Sequence, residues 1–220
     1  MAMKTMRPIE VAITTGEVEL PGMLTLPDSA TGIVAFAHGS GSSRFSTRNQ
    51  RVAQALNQAG LATLLFDLLT AKEHDLDLET AEYRFDIALL THRLIGAVDW
   101  LALYSPTKTL AIGLFGASTG AAAALQAAAE LERQVAAVVS RGGRPDLAGS
   151  DALSRVECPT LLLVGGLDGV VIDLNQHAAS QMNCHTELVI IPGATHLFEE
   201  PGTLEEVERL SAKWFRHYLK

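Results

Sequence analysis

Six short, uninterrupted apolar runs constrain this chain more than any other feature. They fall at residues 32–37, 61–66, 110–115, 135–139, 160–164 and 187–191. Runs of this length without polar alternation are the pattern of strands covered on both faces. Helical spacing fills the gaps between them. Residues 47–59 open with Thr47 and Gln50 at capping-box spacing, and residues 82–103 place Ile87, Leu90, Leu94, Val98 and Leu101 on one stripe. Residues 203–218 begin with Thr203 and Glu206 at the same capping spacing, and Leu204, Val207, Leu210, Trp214 and Tyr218 form their apolar side. Strand, helix and strand in alternation require right-handed crossovers. Segments 11–20 and 23–26 alternate instead, around Pro21-Gly22, and predict an antiparallel pair at a sheet edge. The expected fold is therefore α/β: a doubly wound, mostly parallel sheet of about eight strands flanked by helices. With 220 residues, 48% of them hydrophobic, and no break rich in Pro, Ser or charge, a single domain over 1–220 is expected.

Composition narrows the function. A net charge of −8 without a basic run or basic helical face argues against nucleic acid as a partner. Cys158 and Cys184 stand apart from each other and from any histidine at metal-ligand spacing, so both read as core residues and neither metal nor cofactor is expected. Residues 1–8 are short, polar and basic with no apolar stretch after them, which predicts neither a secretory signal nor a membrane anchor and points to the cytoplasm. The expected partner is a small molecule, not a membrane.

Catalytic residue types collect at the carboxyl ends of the apolar runs, where ligands bind in open α/β sheets. Gly116-Ala117-Ser118-Thr119-Gly120 joins the run 110–115 to an alanine-rich helix starting at Thr119. A tight strand-to-helix turn of this kind lifts the central serine above the sheet, and its flanking glycines avoid collision with neighbouring backbone. A serine hydroxyl is a weak nucleophile and needs a base, which needs an orienting carboxylate. Of seven histidines, His196 follows the last run in a glycine-containing turn at the correct edge, whereas His185 lies at the opposite end. His74, His92, His177 and His217 read as surface residues, and His38 as a brace for the loop it begins. Asp168 follows the run 160–164 directly. Asp173 reads as a helix cap and Asp146 as the cap of a short turn, so the expected triad is Ser118, Asp168 and His196. The loop His38-Gly39-Ser40-Gly41-Ser42-Ser43 would bring backbone N–H groups to the oxyanion. Thr119 and Ser40 are the expected donors, with Gly41 the substitute for the second.

In this order and context these residues resemble the α/β-hydrolase superfamily, and more narrowly its small dienelactone hydrolase-like branch, over nearly the full chain. The resemblance rests on His38-Gly39-Ser40-Gly41, the Gly116 to Gly120 elbow, Gly165-Gly166-Leu167-Asp168 and Gly193-Ala194-Thr195-His196. Dienelactone hydrolases proper use a cysteine nucleophile. Ser118 in its place implies a serine esterase acting on small carboxylic esters or lactones, and only residues 140–159 stand where many relatives insert a helical lid. An acyltransferase, a small serine peptidase or a non-catalytic binding protein on the same fold are the alternatives. Arg44, Arg141 and Arg144 flank the expected site and suit an anionic group on the substrate, while Glu73 belongs to an acidic loop, 67–81, expected to overhang it.

Overall fold

The computed structural model describes residues 7–220, so most of the segment read for a leader lies outside the described residues. Eight strands form one sheet: β1 (Ile9–Thr15), β2 (Val18–Thr25), β3 (Gly32–Ala37), β4 (Ala62–Phe66), β5 (Ala111–Ala117), β6 (Val135–Arg141), β7 (Thr160–Gly165) and β8 (Thr186–Ile191). Their spatial order is β1-β2-β4-β3-β5-β6-β7-β8. β2 pairs antiparallel with both β1 and β4, and every pairing from β4 through β8 is parallel. The direction of winding reverses between β3 and β5, whose following loops therefore part and leave a crevice at their carboxyl ends.

Seven helices cover the sheet: α1 (Thr47–Gln58), α2 (Ala71–Thr80), α3 (Ile87–Leu103), α4 (Thr119–Leu131), α5 (Ser150–Arg155), α6 (Gly169–Ala179) and α7 (Thr203–Tyr218). α1 and α7 close one face, where Val52, Leu56, Val207 and Phe215 meet Phe36, Phe115, Val139 and Leu163. α3 and α4 lead the other, where Leu94 and Val98 pack with the alanines of α4 against Ile33, Ala35 and Leu114. Six of those alanines, 121–124, 127 and 128, are fully buried, because only a methyl group fits where a helix lies this close to a sheet.

Local chemistry moved several boundaries away from the sequence expectation. The β1–β2 turn falls at Gly16-Glu17, where Gly16 takes φ +59°, and not at Pro21-Gly22. Pro21 sits inside β2 opposite Ala12, and Gly22 is needed there because a β-carbon would lie 2.9 Å from Ile13 Cδ1. The acidic loop is largely helical. α2 begins with a capping box in which Thr70 Oγ1 accepts from the Glu73 N–H and the Glu73 carboxylate accepts from the Thr70 N–H. Ala81, left-handed at φ 57°, ends it. α3 then starts afresh from the Asp86 cap at Ile87, five residues later than the stripe suggests. Ser46 caps α1 in place of Thr47, and α7 has no side-chain cap because its N-cap is Gly202, while the Thr203 hydroxyl donates to Glu200 O and Glu206 pairs with Arg209.

The sheet touches α7 most tightly at Gly113, where a β-carbon would stand 2.6 Å from Phe215 Cε1. Gly113→Ala is expected to destabilise the fold by about 1 to 3 kcal/mol through overpacking. Urea unfolding of Gly113→Ala, Phe215→Leu and the double variant checks this; the double variant should lose less than the sum of the singles.

Candidate active site

Ser118 connects β5 to α4 at φ 50° and ψ −119°, a left-handed conformation that holds a non-glycine residue at a cost of roughly 1 to 3 kcal/mol. Its neighbours leave no room for alternatives. A β-carbon on Gly116 would lie 2.4 Å from Ala121 Cα, and one on Gly120 would lie 2.2 Å from the Ala37 carbonyl oxygen. The turn is tied down from the far side: the Ser118 N–H donates to the Arg141 carbonyl at 3.2 Å, and the Ser118 carbonyl accepts from the N–H groups of Ala121 and Arg144 at 3.1 Å each.

His196 and Asp168 meet above β7 and β8, with Nδ1 2.6 Å from Oδ2. Their two loops are knitted by backbone. The Gly166 N–H donates to Ile191 O at 2.8 Å and the Leu167 N–H to Ala194 O at 2.9 Å, and a β-carbon on Gly165 would lie 2.5 Å from that same Ala194 oxygen. Glu200 accepts from both the N–H and the hydroxyl of Thr195, fixing the residue before His196. Phe198, 1% exposed and left-handed at φ 56°, anchors the loop in the core beneath. With Nδ1 engaged by the carboxylate, Nε2 is the nitrogen available to a hydroxyl. The segment 141–142 lies between the two halves of the site: Arg141 holds the Ser118 N–H, and a β-carbon on Gly142 would lie 3.6 Å from His196 Cε1. Asp146 is engaged elsewhere, receiving Arg144 through two bonds of 2.8 and 2.7 Å, and Asp173 lies within α6.

On the other side of the serine, a β-carbon on Gly39 would come within 3.1 Å of Ser118 Cβ, so the loop after β3 lies directly against the elbow. Ser40 and Thr119 are joined through their hydroxyls at 3.0 Å. Thr119 is the first residue of α4, and its N–H has no partner inside the helix. Gly41, at φ +65°, sits in the turn closed by Ser42 N–H to Gly39 O at 3.2 Å. His38 braces this loop: Nε2 accepts from the Leu68 N–H at 3.1 Å, which leaves the proton on Nδ1 to donate to Gly39 O at 3.0 Å.

Of Arg44, Glu73, Arg141 and Arg144, only Arg141 has no ion-pair partner among the described residues. Arg44 reaches Asp67, which also accepts from the Arg44 N–H at 2.7 Å. Arg144 grips Asp146, and Glu73 caps α2 and pairs with Arg93 at 2.8 Å. Arg141 is buried, with neither Nε nor Nη1 hydrogen-bonded. Asp77, an acid of the segment 67–81 expected to be a solvated loop, is instead buried and receives the N–H groups of Tyr83 and Arg84 at 2.8 Å each together with the Arg84 guanidinium. The edge is rimmed by exposed apolar groups: Phe45, Phe85, Leu167, Val170 and Leu197. A cavity of about 360 Å³ opens beside the 38–45 loop between Arg44, Phe45, Asp67 and His74. Among the described residues no cluster of three or more metal-ligating side chains occurs, and no helix is long and apolar enough to cross a membrane. Burial pushes the Cys158 thiol up to about 12, which leaves it an inert core residue.

This sheet, with a serine at the switch point and a histidine and aspartate at the ends of the last two strands, defines an α/β hydrolase. The chain belongs to the alpha/beta hydrolase domain family, which it matches over residues 30–212. It is dienelactone hydrolase-like: it is 57% identical to the dienelactone hydrolase from Anabaena variabilis, with a TM-score of 0.97, covering 99% of this chain and 100% of that one. Est1E from Butyrivibrio proteoclasticus shares the fold at 17% identity and TM-score 0.78, covering 95% and 98% of the two chains. A Mycobacterium tuberculosis protein named "Putative phosphoribosyl transferase" is 55% identical over 214 residues, which are 97% of this chain and 47% of that protein. The chain thus spans about half the length of the curated relatives it matches.

Burial holds the His38 imidazole below its ordinary 6.5. The folded state therefore excludes a proton that the unfolded chain takes up, and the stability His38 contributes is present above pH 6.5 and lost as pH falls below it. Unfolding free energy measured in urea between pH 7.5 and 5 is expected to drop by up to about 1.4 kcal/mol per pH unit from this group. His38→Gln should show the shallower slope.

Proposed function

We propose that this protein hydrolyses small carboxylic esters or lactones through an acyl-enzyme on Ser118. The observation that carries this reading is the 2.6 Å contact of His196 with Asp168 at the edge where a left-handed serine is raised on its elbow. Ser118 Oγ attacks the acyl carbonyl while His196 Nε2 takes its proton, and Asp168 orients the ring and stabilises its charge. The N–H groups of Thr119 and Ser40 receive the oxyanion, with Gly41 the substitute for Ser40. Their linked hydroxyls support this role, because the 3.0 Å bond holds the two donors at a set separation while leaving both N–H groups free of it. His196 then returns the proton to the leaving alcohol, and water repeats the sequence to release the acid. The name of the Anabaena relative favours ester or lactone substrates. The apolar rim favours a substrate whose body is not strongly hydrated, and the short connection between β6 and β7, with no large lid, favours a small one.

A fluorophosphonate probe is expected to label the protein once, and Ser118→Ala to abolish both labelling and turnover of p-nitrophenyl esters while circular dichroism stays native. Labelling that persists in Ser118→Ala would overturn the assignment. Removal of His196 or Asp168 should each lower kcat on the order of 10⁴-fold, the aspartate loss being the milder. Asp146→Asn, whose carboxylate is taken by Arg144, should retain turnover; the reverse result would place the acid one strand earlier.

A further inference from the structure

Arg141 is the last residue of β6, and its side chain follows Ala137 and Val139 toward the α1 and α7 layer. It is only 7% exposed, yet Nε and Nη1 have no hydrogen-bond partner and no carboxylate among the described residues pairs with it. The buried Nε of Arg93 lacks a partner too, but that guanidinium is answered by Glu73. An aromatic ring and a second cation act on Arg141. Its guanidinium carbon stands 5.9 Å from the Phe198 ring centroid, and the charge that acts on it, together with burial, is that of Arg48 in the first turn of α1. Arg48 reaches the same loop, at 3.1 Å from the exposed Glu199, and its own Nε is buried without a partner. Arg48 and Arg141 thus both meet the loop that carries His196, Arg48 through the Glu199 carboxylate and Arg141 through the Phe198 ring. A buried cation is strongly unfavourable unless an anion meets it, and a guanidinium fork matches the paired oxygens of a carboxylate or phosphate.

We propose that Arg141 and Arg48 bind an oxyanionic group, carboxylate or phosphate, carried by the substrate beside the catalytic histidine. This rests on the ester-hydrolase reading for the identity of the ligand, though not for the existence of the site. The position suits it. Gly142, the residue after Arg141, abuts His196, so an anion held by Arg141 lies close to the reacting centre and not on a remote face. Arg48, whose side chain is 31% exposed, is the more open of the two.

The test has two independent readouts on wild type, Arg141→Gln and Arg48→Gln. In the first, inorganic phosphate and acetate are titrated separately at ionic strength balanced with sodium chloride, and thermal unfolding is followed. Either anion should raise the wild-type Tm by about 2 to 4 °C, and both variants should lose most of that shift. Which anion acts identifies the chemistry. The second compares kcat/KM for a half-acid ester with that for its neutral methyl counterpart. The ratio of the two should fall roughly ten- to hundredfold in each variant. No shift in wild type with either anion, or an equal shift in all three proteins, overturns the site. A shift that disappears in the variants while the selectivity ratio is unchanged overturns the substrate assignment. Melting requires no turnover, so a failed ester-hydrolase reading leaves the first result standing and removes only the second. Arg48→Gln, on a partly exposed helix surface, keeps the test sound if Arg141→Gln folds poorly.

Discussion

The approach of α4 to the end of β3 sets the geometry on which the rest of the site depends. With hydrogen in place of a side chain, Gly120 lets the helix start lie against the Ala37 and His38 carbonyls, where a β-carbon would stand within 2.5 Å of both. Gly116 allows the complementary contact with Ala121. Between them the chain must leave β5 and enter α4 within one residue, and Ser118 absorbs the reversal in a conformation it would not adopt alone. The strain is held by surroundings that over-determine it: the Arg141 carbonyl on one side, the Ala121 and Arg144 N–H groups on the other, and Gly39 beneath the side chain.

From that contact the site spreads outward through backbone more than through side chains. Ser118 is tied to the end of β6, the end of β6 abuts the His196 loop through Gly142, and the His196 loop is stitched to the end of β7 that presents Asp168. Each link uses a glycine or a main-chain hydrogen bond, which gives short, stiff connections with no rotamers to freeze. Such connections hold the His196 imidazole against the Asp168 carboxylate at the same edge of the sheet as Ser118.

Charge in this acidic chain is arranged unevenly. Arg44, Arg84, Arg93 and Arg144 each have a carboxylate of their own, and those pairs fasten the loops around the crevice: 38–45 to β4, α2 to the segment after it, α2 to α3, and the turn after β6 to itself. They also take most of the arginines near the site out of contention for ligand binding. Against that pattern, Arg141 stands out because it is as buried as Arg93, at 7% exposed, and yet has no carboxylate partner among the described residues.

The order of elements, the elbow and the meeting of Asp168 with His196 were legible in the chain because they depend on local pattern and on chain order. Apolar runs of five or six residues fix strands, and the rule that ligands gather at strand carboxyl ends sorts histidines and aspartates without knowledge of distance. Boundaries set by competing caps were not legible: Thr70 with Glu73 made a helix of a segment that looked like an acidic loop, and Gly16 supplied the turn that Pro21-Gly22 seemed to mark. The fate of the charged residues was beyond the sequence altogether. Arg44 and Arg141 look alike on paper, each beside a glycine-rich loop at the same edge of the sheet. Only tertiary packing brought Asp67 to the first, from a strand end twenty-three residues away, and enclosed the second against Phe198 with no counter-ion. Whether a cation is answered depends on distances between elements far apart in the chain, and those distances exist only once the sheet has formed.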